Sequence, residues 1–363
     1  MKRIVCGILA AIVMTGNVFA QQVPNTSAAS TVLMDADSGR VLYSHNADEP
    51  RLIASITKLM TALVALESGH ALDEVVTIQP EWTGIEGSSL YLKPDEKITL
   101  ETLLYGLMLR SGNDAAHAIA GYCGGDMEHF VHAMNEKAHS LGMTNSHFSN
   151  PSGLNAEDHY ATARDMAILA RACLQNETLR KIVSTRSVTL EGRIFTNHNK
   201  LLWQYEGCIG LKTGYTEKAG RTLVSAATRN SMTLICVTLN APDDWRDHRA
   251  LFDYGFQNYE RRCLVKTGET LCQIPVSGSL IPFCMVRAQE DVYAALKPEE
   301  QVEISFDMVH SQLRTPLSNG ESVGTAVFLL NGQPLYQLPL RIPHKIRSDS
   351  SPKSAGLAQF FGR

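Results

Sequence analysis

Ser55-Ile56-Thr57-Lys58 puts a hydroxyl and an amine three residues apart at the start of an apolar helix pattern. On a helix, residues at that spacing are neighbours on one face. A serine hydroxyl is a weak nucleophile until a base takes its proton, and a lysine of lowered pKa can be that base. A helix N-terminus adds a dipole that favours negative charge. Alone the pattern is weak, because a capped helix with a surface lysine reads the same way. Ser350-Ser351-Pro352-Lys353 repeats the spacing, but its proline argues against a helix interior.

Two further patterns follow. Ser111-Gly112-Asn113 sits between an apolar helix pattern (Leu103, Leu104, Leu107, Met108) and an alanine-rich one. A hydroxyl there can shuttle a proton, and a carboxamide can both donate to and accept from a substrate amide. An ordinary helix N-cap would use the same residue types. Lys212-Thr213-Gly214, followed by Tyr215, supplies a cation and a hydroxyl for a carboxylate, with a glycine that lets a substrate approach the backbone. Ser44-His45-Asn46 and Lys266-Thr267-Gly268 copy the letters. Order separates true from false: only Ser55 is followed by Ser111 after 56 residues and by Lys212 after 101 more.

The elements that must position these residues are legible in outline. Residues 31–44 alternate around Asp37-Ser38-Gly39, as a strand, tight turn and strand would. A helix opens near Ser55, with Leu59, Met60, Leu63, Val64 and Leu66 on its apolar side and Gly69 at its end. Residues 100–180 read as mainly helical, interrupted at Ser149-Asn150-Pro151-Ser152-Gly153. Strands return at 222–228 and 232–240, and a last helix covers 245–254. This predicts an α+β fold: an antiparallel sheet flanked by helices, with a helical subdomain inserted midway. Beyond Tyr259 short β-rich runs and Asn-Gly turns at 319–320 and 331–332 predict a small all-β domain.

Lys2, Arg3, an apolar run over 4–14 and Val18-Phe19-Ala20 read as a signal peptide over 1–20. The organisation expected is a catalytic domain over 21–258, a β-sandwich-like domain over 259–347 and a flexible tail over 348–363. The net charge of −4 gives no reason to expect nucleic acid. Removing the leader leaves seven of the eight cysteines, an odd number with no C-x-x-C spacing. Cys263 and Cys272 flank Thr267-Gly268 symmetrically in what reads as a hairpin, so they either bridge or stay as two reduced thiols. His129, His132, Glu136 and His139 could share a helix face, but H-E-x-x-H is missing and no metal is expected.

The three patterns, in this order and at these intervals, resemble the penicillin-interacting serine enzymes. Ser89-Leu90-Tyr91-Leu92-Lys93-Pro94, Asn150-Pro151-Ser152-Gly153-Leu154, Thr162-Ala163-Arg164-Asp165, Asn199-Lys200-Leu201-Leu202, Ala219-Gly220-Arg221 and Tyr254-Gly255-Phe256 narrow the likeness. They look like the low-molecular-mass D-alanyl-D-alanine carboxypeptidases of the S11 peptidase type. The resemblance implies a β-lactamase/transpeptidase-like domain followed by a small all-β domain. It implies Ser55 as nucleophile, Lys58 as general base and Ser111 as proton relay. Asn113 would hold the stem peptide, Lys212 and Thr213 its carboxylate. Gly214 would border the substrate, and the N–H groups of Ser55 and Tyr215 would form the oxyanion hole. Arg164 and Asp165 are expected to brace the helical subdomain.

The partners so implied are peptidoglycan peptide stems and β-lactam antibiotics, with no cofactor or metal. The location implied is the periplasm or the outer face of the cytoplasmic membrane. Leu357, Phe360 and Phe361 have amphipathic spacing, but Gly356 and Gly362 weaken any helix, so membrane contact through the tail is expected to be weak or absent. One departure is Ile209, where these enzymes commonly carry an acidic residue. A class A β-lactamase fits less well: the second motif is not Ser-Asp-Asn, and no E-x-x-L-N follows. A cross-link-cleaving endopeptidase shares the motifs. A non-catalytic receptor would have no use for the base.

Overall fold

The computed structural model describes residues 23–348. The leader reading (1–20) and positions 349–363 of the tail lie outside the described residues.

Five strands build one antiparallel sheet: β1 (Ser30–Asp35), β2 (Val41–His45), β3 (Cys208–Thr216), β4 (Gly220–Arg229) and β5 (Met232–Leu239), in the order β2-β1-β5-β4-β3. Alternation along β1 sends Val32 and Met34 into one core and Leu33 into another, so both faces are covered. The first face takes the helices α1 (Lys58–Glu67), α2 (Asn113–Gly124) and α3 (Ala163–Gln175). The second takes α4 (Asp244–Asn258) through Leu251 and Phe252, each worth about 1.5–3 kcal/mol when fully buried. Every residue from Lys58 to Ala65 of α1 is buried, as a helix at the centre of a layered fold must be. The side chain of Thr162 caps α3 by accepting the N–H of Asp165 at 3.0 Å. Asp165 in turn accepts the Asn145 N–H and the Ser146 hydroxyl, which binds the helical segment together as expected.

The C-terminal strands are β6 (Glu260–Val265), β7 (Thr270–Ser277), β8 (Phe283–Arg287), β9 (Val292–Leu296), β10 (Val302–Met308), β11 (Leu313–Arg314), β12 (Ser322–Leu330) and β13 (Gln333–Arg341). They have a core of their own, centred on Ile274, Val286, Phe328 and Leu340. Asn331-Gly332 does turn the β12–β13 hairpin. The hairpin expected around Thr267-Gly268 does not form. Lys266 to Glu269 close a turn, but β6 then pairs with β9, while β7 pairs with β8 and β11. Cys263 therefore faces Tyr293 and Cys272 faces Val286, and both thiols are free.

The two regions meet at the β1–β2 turn. Arg40 grips both carboxylate oxygens of Glu300 at 2.6 and 2.7 Å and also donates to the Ala295 carbonyl. Arg261 donates to Asp37 at 2.6 Å, and Asp35 accepts the Ala295 N–H. Arg40→Ala is expected to cost about 2 kcal/mol at this junction, because Glu300 is left partly buried without its partner. Limited proteolysis should then cut sooner between residues 259 and 300, while D-alanine release stays at the parent rate.

Candidate active site

Ser55 lies in a 3₁₀ turn (Ala54–Thr57) that runs straight into α1. The turn is pinned from the sheet, where the Thr222 hydroxyl donates to the Ile53 carbonyl at 2.9 Å. Gly214 on β3 packs directly on it. A Cβ at that position would lie 2.9 Å from the Ser55 nitrogen and 2.4 Å from the Thr222 hydroxyl oxygen. Glycine is thus required there by the Ser55 turn itself.

The Nζ end of Lys58 is buried and has three neighbours: Ser55 Oγ at 3.0 Å, Asn113 Oδ1 at 2.7 Å and the Ser152 carbonyl at 2.5 Å. Two of these can only accept. A neutral amine would give its two hydrogens to Asn113 and Ser152 and turn its lone pair to the Ser55 hydroxyl. Burial, and then the nearby Lys212 cation, hold the Lys58 amine well below the ordinary lysine range, against the opposing pull of Asp114.

Ser111 follows a π-helical turn (Gly106–Arg110) and adopts a left-handed conformation (φ 63°), which breaks the helix and directs the chain into α2. Asn113 opens α2. Its carbonyl faces Lys58 and its amide donates to the Glu86 carbonyl at 2.5 Å, so both ends are engaged by the protein. On β3, Lys212 is buried, its amine donates to the Thr213 carbonyl at 2.8 Å, and burial brings its pKa down to about 7.

Ser55, Ser111, Thr213, Gly214 and Tyr215 line one cleft of about 520 Å³. All eight residues singled out in the sequence converge on this cleft or the layer beneath it. The sequence argument gave no role to Ser88, Asn197, His198, Lys200, Arg221, Asp244 or Trp245, which line the same cleft. Arg221 stands opposite Tyr215 in the β3–β4 ladder, donates to Asp244 at 2.9 Å and lies over the Trp245 ring. Lys200 and Arg221 fall inside segments that carried the family likeness, which was the available signal. His198 is held at about 4 by burial and by the Lys212 and Arg110 cations, so it is neutral at neutral pH. Elsewhere, His129 pairs with Asp126, and no metal-binding group of three or more His, Cys, Asp or Glu occurs among the described residues.

Residues 17–243 match the family described as D-alanyl-D-alanine carboxypeptidase, and residues 259–347 match the C-terminal domain of penicillin-binding protein 5. The chain is 32% identical over 351 residues to the D-alanyl-D-alanine carboxypeptidase DacF of Bacillus subtilis, covering 93% of this chain and 88% of that one. It is 34% identical to DacA of Escherichia coli, over 89% and 85% of the two chains. Penicillin-binding protein 5 from Haemophilus influenzae superposes with a TM-score of 0.79 at 29% identity, over 90% of this chain and 99% of that one. A variant of the Streptomyces K15 DD-transpeptidase gives 0.63 at 34% identity, over 65% and 100%. With its motifs gathered in one cleft, the chain belongs to the D-alanyl-D-alanine carboxypeptidases of peptidase family S11, the low-molecular-mass penicillin-binding proteins, and is a serine-type carboxypeptidase.

Proposed function

We propose that Ser55 attacks the carbonyl between the two terminal D-alanines of a peptidoglycan stem and carries the resulting acyl group. The observation that supports this most directly is the set of partners around Lys58: two obligate acceptors and the Ser55 hydroxyl. The amine takes the Ser55 proton as the Oγ–carbon bond forms. Ser111 passes a proton to the nitrogen of the departing D-alanine. The N–H groups of Ser55 and Tyr215 stabilise the developing oxyanion. Asn113 holds Lys58 in line and borders the stem peptide, while Lys212 and Thr213 receive the terminal carboxylate. Water then releases the shortened stem. A β-lactam would acylate Ser55 through the same steps, because its amide occupies the same position. None of these steps calls for a cofactor.

The same reading takes 21–258 as the peptidase domain and 259–347 as a separate β domain, acting outside the cytoplasm after removal of the leader. No helix of the described residues is long and apolar enough to cross a membrane.

The primary test is D-alanine release from diacetyl-Lys-D-Ala-D-Ala by the mature protein, beside Ser55→Ala. Release should fall at least about 10³-fold in the variant, with loss of fluorescent penicillin labelling. Labelling of Ser55 without D-alanine release would move the assignment to an endopeptidase.

A second expectation concerns pH. Lys58 must be neutral to act as base, so kcat/KM rises with pH through its depressed pKa. Lys212 must be charged to hold a carboxylate, so kcat/KM falls again as that amine deprotonates near 7. Because kcat/KM reports the free enzyme, the basic limb of its profile should lie close to 7. A profile still rising from pH 7 to 9 would mean that the Lys212 amine keeps its proton through that range in the free enzyme.

A further inference from the structure

The turn that carries Ser55 is tied from behind by a residue outside the cleft. His159 is buried, at 1% exposure, and its ring meets Phe148 edge-on at 5.8 Å. Nδ1 accepts the Ser149 N–H at 3.1 Å. Nε2 lies 2.8 Å from Thr57 Oγ1, and the Thr57 hydroxyl donates to the Ala54 carbonyl at 2.8 Å. A backbone N–H can only donate, so Nδ1 must be bare. The hydroxyl hydrogen is already committed to Ala54, so Nε2 must carry the proton and donate to Thr57. One neutral tautomer satisfies all three bonds.

The two ends of this chain of bonds are chemically significant. Ala54 immediately precedes Ser55 and is held in the left-handed region at φ 50°, a conformation an alanine keeps only under constraint. Ser149 immediately precedes Asn150-Pro151-Ser152-Gly153, the loop whose Ser152 carbonyl accepts the Lys58 amine. Asn150 Oδ1 accepts the Ser152 and Gly153 N–H groups and so shapes that loop. The imidazole therefore spans the segment that presents the nucleophile and the segment that aims the base.

We infer that His159 is a positioning residue for acylation: through Thr57 it sets the conformation of Ala54 and thereby the alignment of Ser55 with Lys58. The inference rests on Ser55 and Lys58 acting as nucleophile and base. The imidazole pKa, brought down to about 4 by burial, fits the neutral tautomer that the bonds demand. After burial, the Asp158 carboxylate opposes that shift, while His147 and Lys58 add to it.

The test compares Thr57→Val, which keeps the shape and loses the hydroxyl, with Thr57→Ser, which keeps the hydroxyl. His159→Ala and the double variant His159→Ala/Thr57→Val complete the set. The readouts are the rate of Ser55 acylation by a penicillin, KM and kcat for diacetyl-Lys-D-Ala-D-Ala, and the melting temperature. Thr57→Val should slow acylation about tenfold or more, with KM within about twofold of the parent. Thr57→Ser should stay within about threefold of the parent. The double variant should be no slower than the slower single, because both substitutions remove one shared bond. If His159→Ala does not fold, the two Thr57 variants decide the matter between them. Acylation at the parent rate in Thr57→Val, or an equal loss in Thr57→Ser, overturns the inference. Parent protein that penicillin does not acylate at Ser55 overturns the underlying reading as well.

Discussion

Lys58→Met is expected to lower penicillin acylation and D-alanine release by about 10²–10⁴-fold, the range over which a positioned general base contributes. The variant keeps the length and the burial of the side chain but has no amine. Asn113 Oδ1 and the Ser152 carbonyl each lose a donor, at about 1 kcal/mol apiece. Against that loss, the fold no longer has to bury a lysine whose charged form is disfavoured by its surroundings. The two effects oppose each other, so the melting temperature should move little while catalysis collapses. Stopped-flow acylation beside a thermal melt separates them. A variant that keeps acylation within tenfold of the parent would mean that some other group takes the Ser55 proton.

The depressed lysines also bear on stability. Lys212, at about 7, and Lys58, lower than an ordinary lysine, both bind protons less readily folded than unfolded. Where the unfolded chain holds more protons, stability rises with pH. The protein should therefore gain stability from these two groups as pH climbs from about 7 toward the free lysine value near 10.4.

The chemistry was more legible than the architecture that supports it. Ser55, Ser111 and Lys212 are widely separated in sequence, yet their order selected them over three decoys, and the fold brings them to one cleft or the layer beneath it. The sheet was legible where the apolar run is nearly continuous, as in β4 and β5, which are buried on both faces. At Lys266-Thr267-Gly268 the local signal was sound, since a turn does close there. The partners of the strands leaving it were set by distant apolar residues, Val286 opposite Cys272 and Val292 opposite Val265, which no turn rule contains. Arg221 was unreadable for a related reason. Its value depends on Asp244 and Trp245, which lie on a different element, at the start of α4. The engagement of Asn113 by Lys58 and Glu86 could not be foreseen either, because the carboxamide has the same capacity to bind protein as to bind substrate.

Gly153→Ala should be far more damaging than its chemistry suggests, and Gly142→Ala supplies the reference. Both glycines sit in the left-handed region, at φ 83° and 80°, so an alanine pays a similar backbone cost of about 1–2 kcal/mol at either site. Around Gly142 nothing lies within 4 Å of the added methyl. At Gly153 the methyl would sit 2.0 Å from the Ala54 carbonyl oxygen, 2.5 Å from its carbon and 2.8 Å from Thr57 Oγ1. The first two are backbone atoms and cannot rotate away, so either the Ala54–Thr57 turn or the Asn150–Gly153 loop must move. Each choice disturbs the same geometry: the first displaces Ser55, the second withdraws the Ser152 carbonyl from Lys58. The expected result is a loss of about 3–5 kcal/mol in denaturant unfolding together with a drop in acylation of about tenfold or more. Gly142→Ala should lose only the backbone cost and acylate at the parent rate. Equal losses at the two positions would mean that the contact between Gly153 and Ala54 relaxes freely, and that Ser55 and Lys58 are aligned from the sheet side alone.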